Sequence, residues 1–457
     1  MKKAISILLI LCMAVGTLTG CLGGSTGETK APQTKSNETP AKSDETPAAG
    51  DETTAPGTAA EDQEAIDYNA KFELRFTGSL TGEDRTELLD EAIAILNEKW
   101  PNVTVVNECT SDYAQKLKLE FGSGAGYDMA YLDDLNQQTL QKNNYLMDIT
   151  DDVIARGWLD EATEGAVEFN NLRTPGQYYS VPFLMAPITV YYNKDIFAEL
   201  GVEVPKTVDE LETILQKAKD AGYIPTECGG DNYFQMVWAA ESMILNSAPK
   251  EDIDDWYYQV NSSDAVKNAF IDAFTRIKKW YDNGWYRADF EGVKGDDVLP
   301  LFSQGKTALT LDGDWSLSQF EMSGINVGAF VFPGFEAGTP YVVNAVDGAW
   351  ALNVNLDANK KACALDFIDV FYQPEYLAKW YEKGYTPAVK ADMSGVEATE
   401  LHKEVAAASA DTKLGFYLDN VKPGFLDLLT KNMQLLTQGA NTPETLWDAL
   451  DAEWQNK

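Results

Sequence analysis

The sequence predicts an α/β protein built from two lobes, each a β-sheet flanked by helices. A strand, a loop, a helix and a second strand follow one another between Phe72 and Val106, which is the order that begins an α/β sheet. β-Branched and aromatic residues fill the run from Ile188 to Tyr192, as in a strand buried on both faces. The 457 residues are 44% hydrophobic, so the chain has enough apolar surface for two or more domains.

The chain is strongly acidic, with 72 acidic against 36 basic residues and a formal net charge of −36. This charge argues against binding to nucleic acid or to anionic lipid. The five cysteines show no CxxC spacing, which argues against a disulfide framework. Cys12 lies in a segment that we expect to be removed, and Cys21 is treated next. Cys109, Cys228 and Cys363 are expected to be small buried hydrophobic residues.

The N-terminus has the three parts of a bacterial secretion signal. Two lysines, an apolar run over residues 5–15 and the tetrapeptide Leu-Thr-Gly-Cys ending at Cys21 follow in order. The apolar run is too short to span a bilayer. Because the tetrapeptide resembles the lipobox, we expect residues 1–20 to be a lipoprotein signal peptide and Cys21 to be acylated. The alternative is a plain secretory signal with a chance cysteine.

Residues 21–67 form a low-complexity segment of Thr, Ala, Glu, Pro, Ser, Gly and Lys with almost no bulky apolar residue. Such a segment buries too little apolar surface to offset its ordering entropy. We therefore expect a disordered tether, with an r.m.s. reach of roughly 35–40 Å.

The first sheet of the folded part supplies two candidate binding residues. The pattern predicts a strand over residues 72–77, a glycine-containing loop over 78–82, a helix ending near Trp100 and a strand over 103–106. Ligands of such sheets collect at the carboxyl ends of strands, which makes Ser79 and Thr81 candidates. A turn or a helix cap is the alternative role for both.

A glycine-rich stretch over residues 122–126 lacks the Gly-Lys-Ser/Thr of a P-loop and follows a predicted helix, so it does not indicate a nucleotide site. The next predicted strand is Met129 to Leu132. Tyr131 on this strand, with Asp133 and Asp134 at its carboxyl end, are candidates for ligand contact. For the two aspartates, a solvated loop or a helix N-cap is the alternative.

The stretch from Tyr178 to Phe197 is the predicted passage between the lobes. Pro182 cannot donate a ladder hydrogen bond, which argues against a regular central strand at that point. The apolar strand from Ile188 follows at once. A short strand with a proline-broken approach suits a crossing; an ordinary core strand is the alternative.

Residues 191–211 read YYNKDIFAELGVEVPKTVDEL. This stretch resembles the extracellular solute-binding proteins of ABC importers, in the branch that includes maltose-binding protein, and the resemblance runs more weakly from about Phe72 to the C-terminus. It implies a two-lobed, periplasmic-binding-protein-like fold with hinge crossings between the lobes, and ABC permease subunits as partners.

A second resemblance lies between Phe302 and Trp315, where a Gly-Lys pair, a small-residue strand and Gly-x-Trp follow one another. In the family this tryptophan commonly stacks on a sugar ring, so the resemblance implies that role for Trp315; core packing is the alternative. The family's second lobe also contributes a loop that corresponds to residues 229–238. That loop makes Asn232, Tyr233 and Trp238 candidates, although Trp238 fits core packing equally well.

The segment from Val342 to Val354 is a predicted strand pair interrupted at Asp347-Gly348. It resembles the family's second crossing, which often carries two glycines where this chain has one, and it adds Asp347 and Trp350 as candidates. The two resemblances place residues 68–185 and 349–395 in lobe 1, and residues 186–348 and 396–457 in lobe 2.

The sequence shows no catalytic constellation. His402 is the only histidine and is expected at the surface, and HExxH does not occur. An EF-hand-like spacing at Asp312 lacks the required glycine and glutamate, so no metal is expected, and no cofactor is.

The predicted protein is a monomeric lipoprotein on the extracellular face of the membrane that captures a carbohydrate, with an oligosaccharide favoured, by lobe closure. It would deliver this ligand to an ABC permease. The alternatives are a lipid-anchored carbohydrate-active enzyme and a binding protein for a non-sugar solute.

Overall fold

The computed structural model describes residues 65–123, 126–163, 166–167, 174, 176–410 and 413–456. The predicted signal peptide, Cys21 and nearly all of the predicted tether lie outside these residues. None of the described helices has both the length and the apolar character needed to cross a membrane.

The described residues form twelve strands. In chain order they are β1 (Glu73–Gly78), β2 (Thr104–Asn107), β3 (Met129–Leu132), β4 (Val181–Met185), β5 (Ile188–Asn193), β6 (Ile224–Thr226), β7 (Thr307–Gly313), β8 (Val327–Phe330), β9 (Tyr341–Val343), β10 (Val346–Leu352), β11 (Thr386–Pro387) and β12 (Lys413–Gly415).

The described residues also form seventeen α-helices. They are α1 (Glu83–Lys99), α2 (Tyr113–Ser123), α3 (Asp134–Lys142), α4 (Thr150–Arg156), α5 (Trp158–Glu161), α6 (Lys194–Leu200), α7 (Val208–Asp220), α8 (Phe234–Leu245), α9 (Lys250–Tyr257), α10 (Asp264–Asp282), α11 (Val298–Phe302), α12 (Leu317–Glu321), α13 (Ala358–Phe371), α14 (Pro374–Glu382), α15 (Glu400–Ala410), α16 (Phe425–Thr437) and α17 (Pro443–Gln455).

Two main sheets organise the fold. The first has six strands in the order β11-β4-β10-β3-β1-β2, and the second has four in the order β6-β7-β5-β8. The chain leaves the first sheet at the end of β4 and enters the second at Ile188, two residues after Ala186. It returns between β8 and β10, and β9 pairs with β12 in a small separate sheet on that return.

Each main sheet is packed in its own apolar core. The core of the first sheet includes Phe76, Trp100, Phe183, Trp350 and Trp380. The core of the second includes Val190, Trp256, Phe274, Trp280 and Trp447. Two sheets with separate cores, joined by two passages of the chain, confirm the predicted two-lobed α/β fold. The residue limits given for the lobes stay a prediction.

The expectation that Pro182 excludes a regular strand was right only in part, because β4 runs through Pro182 but its register to β10 shifts beside it, between Gly348 and Ala349. β4 is continuous through Pro182, which lies opposite Ala349 of β10. On its other side, β4 pairs with β11 only at Leu184 and Met185. The missing N–H of Pro182 therefore costs no hydrogen bond to β11. The carbonyl of Pro182 accepts a hydrogen bond from the Tyr372 hydroxyl at 2.6 Å.

The strand pair predicted between Val342 and Val354 was also wrong in detail. Asp347 and Gly348 lie inside β10, where the register to β4 shifts, and do not separate two paired strands. The chain breaks earlier, at Asn344-Ala345, and β9 pairs with β12. A local bulge absorbs the extra residue without ending the strand.

The predictions for the burial of His402 and of the three cysteines had different outcomes. His402 is only 3% exposed, which corrects its predicted surface position, because its ring packs 4.2 Å from that of Tyr381. Cys228 and Cys363 are buried as predicted, whereas Cys109 is half-buried; all three are free thiols.

Candidate functional site

A cavity of about 670 Å³ lies where the carboxyl end of β1 faces the carboxyl end of β7. One wall comes from the loop after β1, the start of α1, β10 and the turn before β11; the other comes from the segment after β7. The lining residues are Ser79, Thr81, Gly82, Glu83, Asp84, Arg85, Glu87, Trp315, Ser318, Gln319, Met322, Asp347, Lys383 and Tyr385. We call this cavity the cleft.

Trp315 is the large aromatic side chain on the β7 side of the cleft. It is half-buried, and its indole lies over Gly313, where any Cβ atom would overlap the ring. Its edge meets Trp238, with ring centroids 6.0 Å apart and an interplanar angle of 65°. The Gly-x-Trp pattern therefore has a packing cause: the missing side chain of Gly313 lets the indole fold back into the wall of the cleft.

A second cavity of about 450 Å³ adjoins the cleft and shares Trp315 and Gln319 with it. Asn232 and Trp238 lie on its wall, and Trp238 stacks on Phe234 at 5.4 Å. The indole of Trp315 thus separates two neighbouring spaces, and both faces of this wall carry aromatic and amide groups.

Arg85 is the buried cation of the cleft. Its residue is 8% exposed, and its guanidinium lies 4.5 Å over the ring of Tyr385. The Tyr385 hydroxyl in turn donates to Asp84 Oδ2 at 3.0 Å. The nearby carboxylate of Asp347 helps to raise the pKa of Arg85 against the opposing effect of burial, so the side chain is cationic.

Asp347 lies on the same wall, at the bulge of β10. Its Oδ2 accepts a hydrogen bond from the Tyr131 hydroxyl at 3.1 Å. Gly348 is required beside it, because a Cβ atom there would overlap the Tyr131 ring. Burial raises the pKa of Asp347, and the positive charge of Arg85 opposes this rise.

Two further carboxyl groups flank Gly313. Burial raises the pKa of both Asp312 and Asp314 to about 7. Asp312 accepts from the backbone N–H of Gly313 at 2.8 Å, and Asp314 Oδ2 accepts from the backbone N–H of Thr386 at 3.0 Å. The second bond connects the end of β7 directly to β11 of the other sheet.

The structure brings six of the eleven predicted binding residues to these two cavities. Ser79, Thr81, Trp315 and Asp347 line the cleft, whereas Asn232 and Trp238 line the adjoining cavity, which Trp315 shares.

Three predicted residues lie in the apolar cores. Tyr131 and Trp350 are both 0% exposed, and Tyr233 is 1% exposed. Tyr131 still acts on the site through its hydrogen bond to Asp347. Trp350 packs against Tyr131 at 5.2 Å and against other rings of the first core, so it contacts neither cavity.

The two predicted aspartates after β3 have other partners. Asp133 is the N-cap of α3, with Oδ1 accepting from the backbone N–H of Asn136 at 2.8 Å, and it also accepts from Tyr113. Asp134 is 4% exposed and accepts from the Tyr257 hydroxyl at 3.2 Å. Asp134 therefore links the start of α3 to the end of α9, and it does not line the cleft.

Sequence reasoning missed several residues of the cleft, above all Arg85, Tyr385 and Gln319. Tyr385 lies in the segment from Lys383 to Pro387, whose Gly-x-x-Pro spacing was a usable signal. Arg85 occupies the first turn of α1, where a charged residue normally indicates solvent.

The cleft brings together groups that can bind a polar molecule. An indole offers an apolar face, and carboxylates, hydroxyls, an amide and a guanidinium offer acceptors and donors around it. Within the described part of the chain, no group of three or more His, Cys, Asp or Glu side chains is arranged to hold a metal ion.

A two-lobed α/β protein with a polar, aromatic-walled cleft between its sheets has the architecture of a solute-binding protein. Residues 82–378 match the model of the bacterial extracellular solute-binding protein family, which covers more than half of the chain. The chain therefore belongs to this family, the family 1 solute-binding proteins of ABC importers.

Named relatives cover most of the chain. A multiple sugar-binding protein of Streptococcus mutans is 22% identical over 83% of this chain and 90% of its own length. An sn-glycerol-3-phosphate-binding periplasmic protein of Rhizobium meliloti is 22% identical over 84% and 93%. The solved structure of a chitin oligosaccharide binding protein has a TM-score of 0.74 and 23% identity, covering 84% of this chain and 98% of that one. This structural likeness supports the fold.

Proposed function

We propose that the protein is the substrate-binding lipoprotein of an ABC importer and that it binds a carbohydrate, an oligosaccharide in particular. The two lobes close over the ligand, and the loaded protein delivers it to the permease subunits. The protein acts as a monomer on the extracellular face of the membrane, held there by the acylated Cys21. It has no catalytic role.

The observation that carries this proposal is the position of Trp315. Its indole stands at the wall shared by two adjoining cavities, opposite Asp347 and Arg85. A sugar ring offers an apolar face of C–H groups and an edge of hydroxyls, so it needs an aromatic surface and polar groups at right angles to it. Two adjoining spaces on either side of one indole suit a ligand of more than one ring.

A contact between the two sheets supports the proposal of lobe closure. The bond from the Thr386 N–H to Asp314 joins the two walls of the cleft. The chain passes between the sheets at Ala186-Pro187 and again between β8 and β10, and a hinge motion at these two passages would open and close the cleft.

Binding is tested with the purified mature protein and a panel of maltotriose, raffinose, stachyose and chitotriose. A panel sugar supplied at about 100 times its Kd should stabilise the fold by ~2.7 kcal/mol, which a thermal-shift assay detects. Failure of all four sugars to shift the melting temperature would contradict carbohydrate binding.

Two alternatives are separated in the same experiment. A carbohydrate-active enzyme would release new reducing ends from the panel sugars during incubation, whereas a carrier would bind them unchanged. A non-sugar ligand is represented by glycerol 3-phosphate, which the name of the Rhizobium meliloti relative favours. A shift with this compound alone would replace the sugar proposal.

A further inference from the structure

Asp134 lies on the lobe of the first sheet but is bonded to the lobe of the second. It begins α3, and Leu140 of this helix packs in an apolar cluster with Ala130 of β3 and Ala351 of β10, two strands of the first sheet. Asp134 Oδ2 accepts a hydrogen bond at 3.2 Å from the hydroxyl of Tyr257, which ends α9 and belongs to the core of the second sheet. The bond therefore crosses from one lobe to the other.

This bond between the lobes is shielded from solvent. Asp134 is 4% exposed and Tyr257 is 1% exposed. A hydrogen bond accepted by a carboxylate is roughly twice as strong as one between neutral groups. Removing one partner of a buried bond also leaves the other partner desolvated without compensation. The contact between these two residues therefore contributes to the energy that holds the lobes together.

A second connection between the lobes runs through residues 416–420. The side-chain amide of Gln138, one turn after Asp134 on α3, donates to Asp134 Oδ2 at 2.8 Å and to the backbone oxygen of Asn420 at 3.4 Å. Phe416 belongs to the core of the second sheet, and its ring stacks on that of Tyr257 at 4.9 Å with an interplanar angle of 17°. The start of α3 is thus bonded both to Tyr257 and to the segment on which Tyr257 stacks.

The same segment is bonded to the passages of the chain between the two main sheets. Ala186 and Ala345 lie on these two passages, and the N–H of Ala186 donates to the backbone oxygen of Ala345 at 2.9 Å. The Tyr417 hydroxyl donates to the backbone oxygen of Ala186 at 2.7 Å. Because Tyr417 directly follows the stacked Phe416, the contact between the lobes and the two passages share one short stretch of chain.

We propose that Asp134 and Tyr257 form a latch, a hydrogen bond outside the cleft that holds the lobes together and slows the release of a bound solute. The bond from the Thr386 N–H to Asp314 joins the walls of the cleft in the same structure, so the latch is formed while the lobes lie together. A rotation that separates the lobes moves α3 away from α9 and breaks it. Neither latch residue lines the cleft. This inference rests on the proposed function and concerns the release of the solute, not its recognition.

The test measures the dissociation rate constant of the panel sugar that the unaltered protein binds, by stopped-flow tryptophan fluorescence. Tyr257→Phe removes only the hydroxyl of the latch and keeps the ring that stacks on Phe416. Asp134→Ala removes the acceptor. Tyr376→Phe is the matched control, because its buried hydroxyl donates to the backbone oxygen of Leu88 at 2.5 Å within the core of the first sheet.

We expect Tyr257→Phe to release the sugar about 10-fold faster than the unaltered protein, because losing one hydrogen bond to a charged group shifts the bound protein toward open lobes by about that factor. Tyr376→Phe should release it at the unaltered rate, although it too loses a buried hydrogen bond. Adding Tyr257→Phe to Asp134→Ala should bring no further acceleration, because both changes break the same bond. Without sugar, small-angle X-ray scattering should give Tyr257→Phe a larger radius of gyration than the control.

Equal dissociation rates for Tyr257→Phe and Tyr376→Phe would overturn the latch while leaving solute binding intact. A further acceleration in the combined variant would also overturn it, because the two residues would then not act through their common bond. If the unaltered protein binds no panel sugar, carbohydrate binding is contradicted and the scattering measurement alone decides the latch: a larger radius of gyration in Tyr257→Phe supports it, and equal radii overturn it. If Asp134→Ala does not fold, the comparison of Tyr257→Phe with its control decides.

Discussion

The indole of Trp315 rests directly over the backbone of Gly313, in the space where any other residue would place its Cβ atom. The two residues are one structural unit, because the ring that forms the cleft wall has room only while position 313 has no side chain. This relationship gives the Gly-x-Trp pattern a packing cause.

We predict that Gly313→Ala displaces the indole and weakens binding of the panel sugar that the unaltered protein binds, raising its Kd by roughly 10-fold, or about 1.4 kcal/mol. The displaced ring would no longer lie parallel to the ligand. Calorimetry measures the change. Gly292→Ala is the control, because a Cβ atom there meets no atom within 4 Å. Equal affinities for the two variants would show that the indole does not depend on Gly313.

Trp350, unlike Trp315, is a core residue. It is 0% exposed and packs on Phe76 at 5.6 Å and on Phe371 at 5.0 Å. Trp350→Ala should therefore lower the free energy of unfolding by about 3–5 kcal/mol, the cost of deleting a large buried aromatic side chain. Urea denaturation measures this loss. A loss under 1 kcal/mol would mean that the ring is not part of the core.

Trp315 and Trp350 also show how far the sequence alone could predict the site. The strand before Trp315 ends at Gly313, and a large ring at such an end has few core neighbours. Trp350 lies inside a strand whose residues are buried on both faces. The alternation of apolar and polar residues therefore could not show whether Trp350 lies in the core or in the cleft. The α/β class followed from local sequence pattern, whereas the two-lobed fold was implied by the family resemblance.

The sequence did not indicate Arg85 as a residue of the cleft, for a different physical reason. Its position in the first turn of α1 indicates an exposed helix start, and only the loop around Ser79 and the ring of Tyr385, 300 residues further along the chain, bury it. Burial by distant segments leaves no periodic signal. Asp347 likewise left no periodic signal in the sequence, because its contact with Tyr131 joins two strands that are neighbours in the sheet but distant along the chain.

A buried carboxyl pair outside the cleft should make stability depend on pH. The backbone N–H of Asp419 donates to Glu241 Oε1 at 2.8 Å, and within the described residues Glu241 Oε2 and Asp419 Oδ1 have no partner. Burial raises the pKa of Asp419 to about 7 and the pKa of Glu241 well above its usual value. The folded state therefore holds protons that the unfolded state releases near pH 4.

It follows that this pair's contribution to the free energy of unfolding falls as the pH rises from about 4 to about 7. Glu241→Gln removes one carboxyl of the pair and should flatten this decline. The unaltered protein and the variant differ in their free energy of unfolding. This difference should change by about 1.4 kcal/mol or more between pH 5 and pH 8, which is the free energy of one pKa unit. Urea denaturation at both pH values checks this, with exposed Glu203→Gln as the control. Parallel pH profiles for the unaltered protein and Glu241→Gln would refute the raised pKa of Glu241.

Processing of the N-terminus is a separate prediction that lies outside the described residues. We expect cleavage before Cys21 and a diacylglyceryl group on its thiol. Mass spectrometry of the native N-terminus should show the lipid mass on Cys21, and Cys21→Ser should release the protein from the membrane fraction. An unmodified cysteine, or a mature protein that begins elsewhere, would rule out the anchor.

The most direct test of the account is calorimetry on Trp315→Ala, with the panel sugar that binds the unaltered protein. We predict a loss of about 2–4 kcal/mol in binding, as for other aromatic anchors, while the melting temperature without sugar stays nearly constant because the half-buried ring leaves little core vacant. Unchanged affinity, or a collapse of the melting temperature in the absence of sugar, would show that Trp315 is a core residue and that the binding site lies elsewhere.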